Sequence, residues 1–203
     1  MSWFGTVRRC PGCLRLAALL LAAWPVAVSV RAAAAEPAVY EYNVKAGYLF
    51  NFARFVEWPA SAFATPTSPF VIGVLDAGEA APLIKSLLAN KQVESRPVIV
   101  KAVMASDPGK DLHILFVTRA ARTTLKELTP LLAGTPTLLV GETDRFAELG
   151  GALEFSREGD SIRLNLNLES AMDAGLKISA KLSNVAKRVK PVRAASPDGA
   201  SSR

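Results

Sequence analysis

The chain has 203 residues, half of them apolar, with 24 basic and 18 acidic side chains and a formal charge of +6. So apolar a composition excludes a wholly disordered chain, and the basic excess is local. Arg8, Arg9, Arg15 and Arg31 fall in the first 35 residues, and seven basic residues against Asp198 alone follow from Lys177, so residues 36–176 carry a net −4 and make a poor match for nucleic acid.

The N-terminal segment reads as an export signal. Its arginines precede a run from Leu16 to Val30 that is apolar apart from Ser29 and broken at Pro25, and Ala33-Ala34-Ala35 supplies a small-residue cleavage site. The expected mature chain starts at Glu36. An uncleaved anchor would need about 20 uninterrupted apolar residues, and this run is shorter and carries a proline. Arg8-Arg9 continues into Cys10-Pro11-Gly12, which does not extend as a twin-arginine signal. Cys10 and Cys13 imitate a redox spacing but would leave with the signal. The remainder has no thiol, so its stability must come from burial in one domain, expected over residues 36–190.

Along that domain, the spacing of Val44, Tyr48, Leu49, Phe52, Phe55 and Val56 predicts a helix over 38–57, ended by Trp58-Pro59 because a residue before proline avoids the helical region. Phe70–Leu75 is a short apolar run of the kind found in strands buried on both faces. A helix over 79–90 follows, with Leu83, Leu87 and Leu88 inward. Strands are expected at Arg96–Val103, Leu112–Val117 and Thr135–Val140, with Thr118 capping a helix through Leu125, Leu128 and Leu131 between the last two. Ala152–Ser156 and Ser161–Leu166 flank Glu158-Gly159-Asp160 as a hairpin. Helices are expected at 167–174, stopped by Gly175, and at 178–190, where Ile178, Leu182, Val185 and Val189 form an apolar stripe. Residues 191–203, rich in Pro, Ser and Gly, read as a disordered tail.

Strands alternating with helices and closing on a hairpin imply an α/β fold: a three-layer, Rossmann-like domain with a mostly parallel sheet and an antiparallel edge hairpin. Catalytic signatures are missing. His113 is the one histidine, so no zinc site of two or three histidines can form, and inside an apolar strand it reads as a hydrogen-bonded core residue. There is no Gly-x-Ser-x-Gly elbow and no phosphate-binding Gly-x-x-x-x-Gly-Lys loop. Gly73 and Gly78 bracket a strand-to-helix turn without the dinucleotide pattern, and serve the turn. Glu41 and Lys45 are four apart on the apolar arc of the first helix, which makes them partners in an ion pair. That helix also carries Tyr40, Tyr42, Tyr48, Phe50, Phe52 and Phe55, with Trp58 beyond it, more rings than one helix ordinarily buries. The basic residues after Lys177 read as a solvated helix face, with attraction to anionic lipid as the sharper alternative.

The segment from Tyr42 to Pro59, Tyr-Asn-Val-Lys-Ala-Gly-Tyr-Leu-Phe-Asn-Phe-Ala-Arg-Phe-Val-Glu-Trp-Pro, resembles the opening of the YfiR-like family of periplasmic proteins. Ile72–Leu75, His113–Phe116, Leu139–Glu142 with Phe146 and Gly150-Gly151, and Ile162–Asn165 followed by Ala174–Ser179 and Lys181-Leu182 match in order. The resemblance implies an α/β fold, a periplasmic location, often a homodimer, and a regulatory role. The best-known member holds an inner-membrane diguanylate cyclase inactive by binding its periplasmic domain. Many relatives have a cysteine where this chain has Leu112, so a thiol switch is not expected here.

The leading expectation is therefore a non-enzymatic regulator acting by protein–protein contact through Lys45, Tyr48, Phe50, Asn51, Arg54 and Trp58. No cofactor or metal is expected, nucleic acid is excluded, and any membrane association would be peripheral. The alternative is a small-molecule binding module using the carboxyl ends of the strands, at Gly73, Asp76, Gly78 and Phe146.

Overall fold

The computed structural model describes residues 35–75, 78–159 and 161–192. The expected signal, Asp76 and Ala77 in the first turn, Asp160 in the hairpin turn, and the tail from Arg193 lie outside them. The account below concerns the compact unit from Val39 onward.

Helix α1 (Ala35–Phe55) turns Lys45, Ala46, Leu49, Phe52 and Ala53 inward, the three-and-four spacing of a buried helical stripe. It stops before Trp58-Pro59, and Val56–Glu57 (β1) leaves it to pair antiparallel with Lys177–Ile178 (β9). The other strands form one eight-stranded sheet. They are β2 (Phe70–Leu75), β3 (Gln92–Val93), β4 (Arg96–Val103), β5 (Ile114–Val117), β6 (Leu138–Gly141), β7 (Leu153–Glu158), β8 (Ser161–Leu166) and β10 (Lys187–Arg188), in the order β10-β8-β7-β6-β5-β2-β4-β3. Five of the seven pairings are parallel; β7–β8 and β3–β4 are antiparallel. The expected α/β sheet with an antiparallel hairpin toward one edge is what forms, with two-residue β10 added outside β8.

Every residue of β2, β5 and β6 is buried, so the centre of the sheet is covered on both faces, which is why these strands read as unbroken apolar runs. One face carries Phe70, Ile72, Val74, Ile114, Phe116, Leu138 and Val140 against α1, α2 (Ala80–Leu88) and the C-terminal elements. The other carries Val71, Leu75, Leu115, Val117 and Leu139 against Leu128 and Leu132 of α3 (Leu125–Leu132) and against Phe146.

Several local expectations shift. In α2 the buried stripe is Ala80, Ala81, Ile84 and Leu88, while Leu87 is exposed. Thr118 does not cap α3. It lies buried at the end of β5, donating to the Leu75 carbonyl, and the helix starts after Thr124, whose backbone N–H donates to Glu127 Oε2 at 2.9 Å in a capping box. The expected helix over 178–190 is three elements. Ile178 belongs to β9, Ser179 caps the short α5 (Ala180–Val185) by accepting from Leu182 N, and Lys187-Arg188 join β8. Only Leu182 of the apolar stripe is buried, and Val185 is 67% exposed. Among the described residues a basic helix face therefore does not form: of their cations from Lys177 onward only Lys181 lies on a helix.

Phe146 is held edgewise between Gly141 and Gly151. A Cβ on either glycine would stand 2.2–2.5 Å from the ring carbons, so no side chain fits there without displacing a buried phenyl. Gly151→Ala should cost about 1–3 kcal/mol in urea unfolding, as overpacking does. Gly47→Ala, on the exposed side of α1 with nothing within 4 Å of the new methyl, should be neutral or stabilise by up to about 1 kcal/mol. Equal effects at the two positions would refute the pincer.

Candidate functional site

Two structured clusters sit at opposite ends of the parallel strands. At the carboxyl end, Lys45 of α1 points into the protein with 3% of its surface exposed, and its Nζ donates to Glu142 and to Glu41. Glu142 follows β6 directly and is equally buried. Its second oxygen accepts the backbone N–H of Arg119 at 2.6 Å, and the Arg119 guanidinium returns to the Glu142 carbonyl at 2.9 Å. Arg119 stands two residues beyond β5. Arg157 of β7 approaches Glu41 at 3.8 Å, and the Tyr42 ring lies 5.1 Å from Lys45 Nζ. Burial acts to raise the Glu41 pKa, but the Lys45 hydrogen bond and charge, helped by Arg157 and Arg119, outweigh it and hold the carboxyl below the ordinary value. Opposite charges close on one another here, so the cluster is a structural tie between α1 and the ends of β5 and β6. Of the expected contact residues, Lys45 is thus taken up inside. The pairing with Glu41 follows from helical spacing. Glu142 and Arg119 do not, and their one sequence signal is polarity placed immediately after apolar strands.

At the amino end, His113 lies buried just before β5, its ring 4.5 Å from the Phe63 ring and 4.6 Å from the Phe70 ring, nearly parallel to each. Its Nδ1 accepts the Val71 N–H at 3.1 Å, which leaves the ring proton on Nε2, on the side of the Ala62 carbonyl. Trp58 closes the box edge-on to Phe70 at 4.9 Å and donates its indole N–H to the His113 carbonyl at 3.3 Å. Arg96 lies 3.9 Å from the Phe63 ring centroid and donates to the carbonyls of Thr65 and Ser68. Burial pushes the His113 pKa down to about 4, against the opposing effect of the Ala62 carbonyl. A proton on Nδ1 would also end the bond from Val71. Trp58 is thus bound into the fold, and so is Tyr48, half-buried at 5.9 Å from Phe155.

The other expected contact residues stay at the surface of α1. Arg54 is exposed, its guanidinium 6.0 Å from the Phe50 ring and 5.8 Å from Phe55, and Lys181 Nζ, from α5, lies 4.7 Å from the Phe55 ring. Asn51 is half-buried beside them. Among the described residues Tyr40 is the ring left most open, at 69% exposure. The residues expected to meet a small ligand are placed as follows. Gly73 is buried in β2 under Leu112, Gly78 is exposed in a bend, Phe146 is packed in the core, and Asp76 lies outside the described residues. Among the described residues no group of three or more His, Cys, Asp or Glu could hold a metal ion, and no helix is long and apolar enough to cross a membrane.

Two outcomes test these clusters. Lys45→Met and Glu142→Gln should each cost about 3–5 kcal/mol, since each strands one member of a buried pair. The double variant should cost clearly less than their sum, and additivity in a double-mutant cycle would refute the tie. For His113, the folded pKa lies below the ordinary 6.5, so the unfolded chain takes up the proton first. Stability is full above about pH 6.5 and falls by about 3 kcal/mol in all as pH drops to about 4. Thermal unfolding across that window should lose this slope in His113→Gln, and an unchanged slope would show that other groups carry it.

No curated protein matches the chain. The pattern of the YfiR/HmsC-like family does, over residues 42–187. That stretch is more than half of the sequence and contains Lys45, Arg119, Glu142, His113 and the exposed end of α1. This protein belongs to the YfiR/HmsC-like family.

Proposed function

We propose that the protein is a periplasmic regulator that binds the periplasmic domain of an inner-membrane signalling enzyme of diguanylate cyclase type and holds it inactive. Membership of a family known for periplasmic regulation of a diguanylate cyclase supports this reading. In this account residues 1–35 direct export, residues 36–190 form the regulatory domain, and the tail from 191 plays no part in the contact.

The observation that carries the proposal is the Phe50–Arg54–Phe55–Lys181 patch at the C-terminal end of α1, two cations standing over two half-buried rings. Exposed arginine with aromatic neighbours is the composition of contact hot spots. A guanidinium there can meet a partner carboxylate while the rings supply apolar area. Both cysteines precede residue 35, so no disulfide can form within residues 36–203 and regulation there has no thiol chemistry.

Arg54→Glu tests the contact. Exposed, and without a hydrogen-bonded role, it should change folding stability by no more than about 0.5 kcal/mol. It should weaken capture of the membrane partner by on the order of tenfold or more and raise cellular cyclic di-GMP relative to wild type. If the variant represses as well as wild type, this end of α1 is scaffold and the proposed contact lies elsewhere.

A further inference from the structure

The segment from Trp58 to Ser68 passes the amino ends of β2 and β5 with little to hold it there. None of its residues is buried. Its backbone hydrogen bonds close within it, from Ala62 N to the Pro59 carbonyl, Phe63 N to Ala60 and Ser68 N to Thr65. Segments so poor in buried contacts are the first parts of a fold to open. Two residues fasten it to the sheet. Arg96 donates to the Thr65 and Ser68 carbonyls and lies over the Phe63 ring. His113 takes three contacts from one short stretch: the Trp58 indole N–H on its carbonyl, the Phe63 ring beside its imidazole, and the Ala62 carbonyl on the side of Nε2.

Only the neutral ring fits this arrangement. With Nδ1 accepting the Val71 N–H and the proton on Nε2, both nitrogens are in use. The imidazolium carries a hydrogen on each, so Nδ1–H would meet the Val71 N–H, donor against donor. Phe63 and Phe70 offer that hydrogen no lone pair. The surroundings do little to compensate the charge. Residues 58–69, β2 and β6 contain no ionisable side chain. From β4, Arg96 repels the imidazolium, and Asp111 of the loop before β5 attracts it. Asp111 is exposed and already paired with Lys101 of β4 at 2.6 Å.

We propose that His113 is a proton-operated latch for the Trp58–Ser68 segment: uptake of a proton by the imidazole breaks the Val71 bond and the contacts with Ala62 and Phe63, and the segment detaches while the sheet stays folded. Closed, the ring titrates at about 4, and released into water it returns to the ordinary 6.5. Acidification from about pH 7 to about pH 4 therefore raises the ratio of open to closed molecules by on the order of a hundredfold. Trp58 follows the end of α1 directly after β1, so detachment also loosens the end that carries Arg54. That last consequence rests on the contact proposed above; the latch itself does not.

The residues concerned report on themselves. His113 is the one histidine, so a single imidazole Cε1–H resonance follows its titration, and Trp3→Phe/Trp24→Phe leaves Trp58 as the one tryptophan for fluorescence. Between about pH 7 and about pH 4 the Trp58 emission should shift to the red in step with the imidazole signal, with the far-UV circular dichroism unchanged. His113→Gln should abolish the shift. Arg96→Gln, which removes both a fastening and a repelling charge, should move it to higher pH. Circular dichroism lost together with the shift, or an emission that ignores the imidazole titration, would overturn the latch. If His113→Gln does not fold, the wild-type titration and Arg96→Gln decide, and an Arg96→Gln transition at unchanged or lower pH overturns it too. Over the same window, capture of the membrane partner should weaken by about tenfold or more in wild type and hold constant in His113→Gln. Capture absent already at pH 7 would count against the α1 contact and not against the latch, whereas capture that survives acid with Trp58 detached would overturn the coupling between them.

Discussion

A buried ammonium group decides how the first helix is fastened. Taking Lys45 out of water is tolerable only beside a carboxylate with its remaining valences satisfied, and Glu142 meets that condition because its other oxygen accepts the Arg119 backbone N–H, while the Arg119 guanidinium holds the Glu142 backbone carbonyl. The three residues belong to α1 and to the segments after β6 and β5, so one charge requirement fixes a helix against two strand ends. Apolar packing of Leu49 and Phe52 is indifferent to small slides along the sheet. A charge pair that must close is not.

The same tie has a consequence for ligands. In open α/β sheets the crevice beyond the carboxyl ends of the strands is the usual binding place. Here that end at β5 and β6 is occupied by the protein's own charges, and Phe146 fills the space over Gly141. Among the described residues, a groove of about 460 Å³ opens at the amino end, between α3 and α4 (Leu168–Asp173). The elements that border it, α3 and α4, have eight and six residues, too short to close over the starts of β6 and β7. The turn at Gly134, with φ of +74°, ends α3 just above them.

The central strands were legible because burial on both faces leaves a continuous apolar run, and α1 because its stripe persists over several turns. The C-terminal region was not. Ile178, Leu182, Val185 and Val189 keep helical spacing, but their partners are remote: Ile178 pairs with Val56, and the backbone of Val189 donates to Leu166. Periodicity counts apolar positions and is blind to a distant strand edge that needs hydrogen-bond partners. The start of α3 carried a readable sign, since Thr124 has Glu127 three residues on and Thr118 has no such acid. At the charged cluster, the Glu41–Lys45 half lies within one helix turn, whereas Lys45 and Glu142 are 97 residues apart. No local pattern links that pair.

The fastening of α1 also bears on the contact proposed for its exposed end. Along the helix, Lys45, Leu49, Phe52 and Ala53 are held inside, so the backbone carrying Phe50, Asn51 and Arg54 is fixed before any partner arrives. Contact through a preformed helix face avoids the ordering cost that a flexible loop would incur. Arg54 is positioned further by the two rings beside it, and Lys181 also lies over the Phe55 ring. The positive charge of the patch therefore rests on rings that are partly core. Removing either ring would loosen the domain and blunt the surface together, whereas altering the cation changes only what the surface can meet.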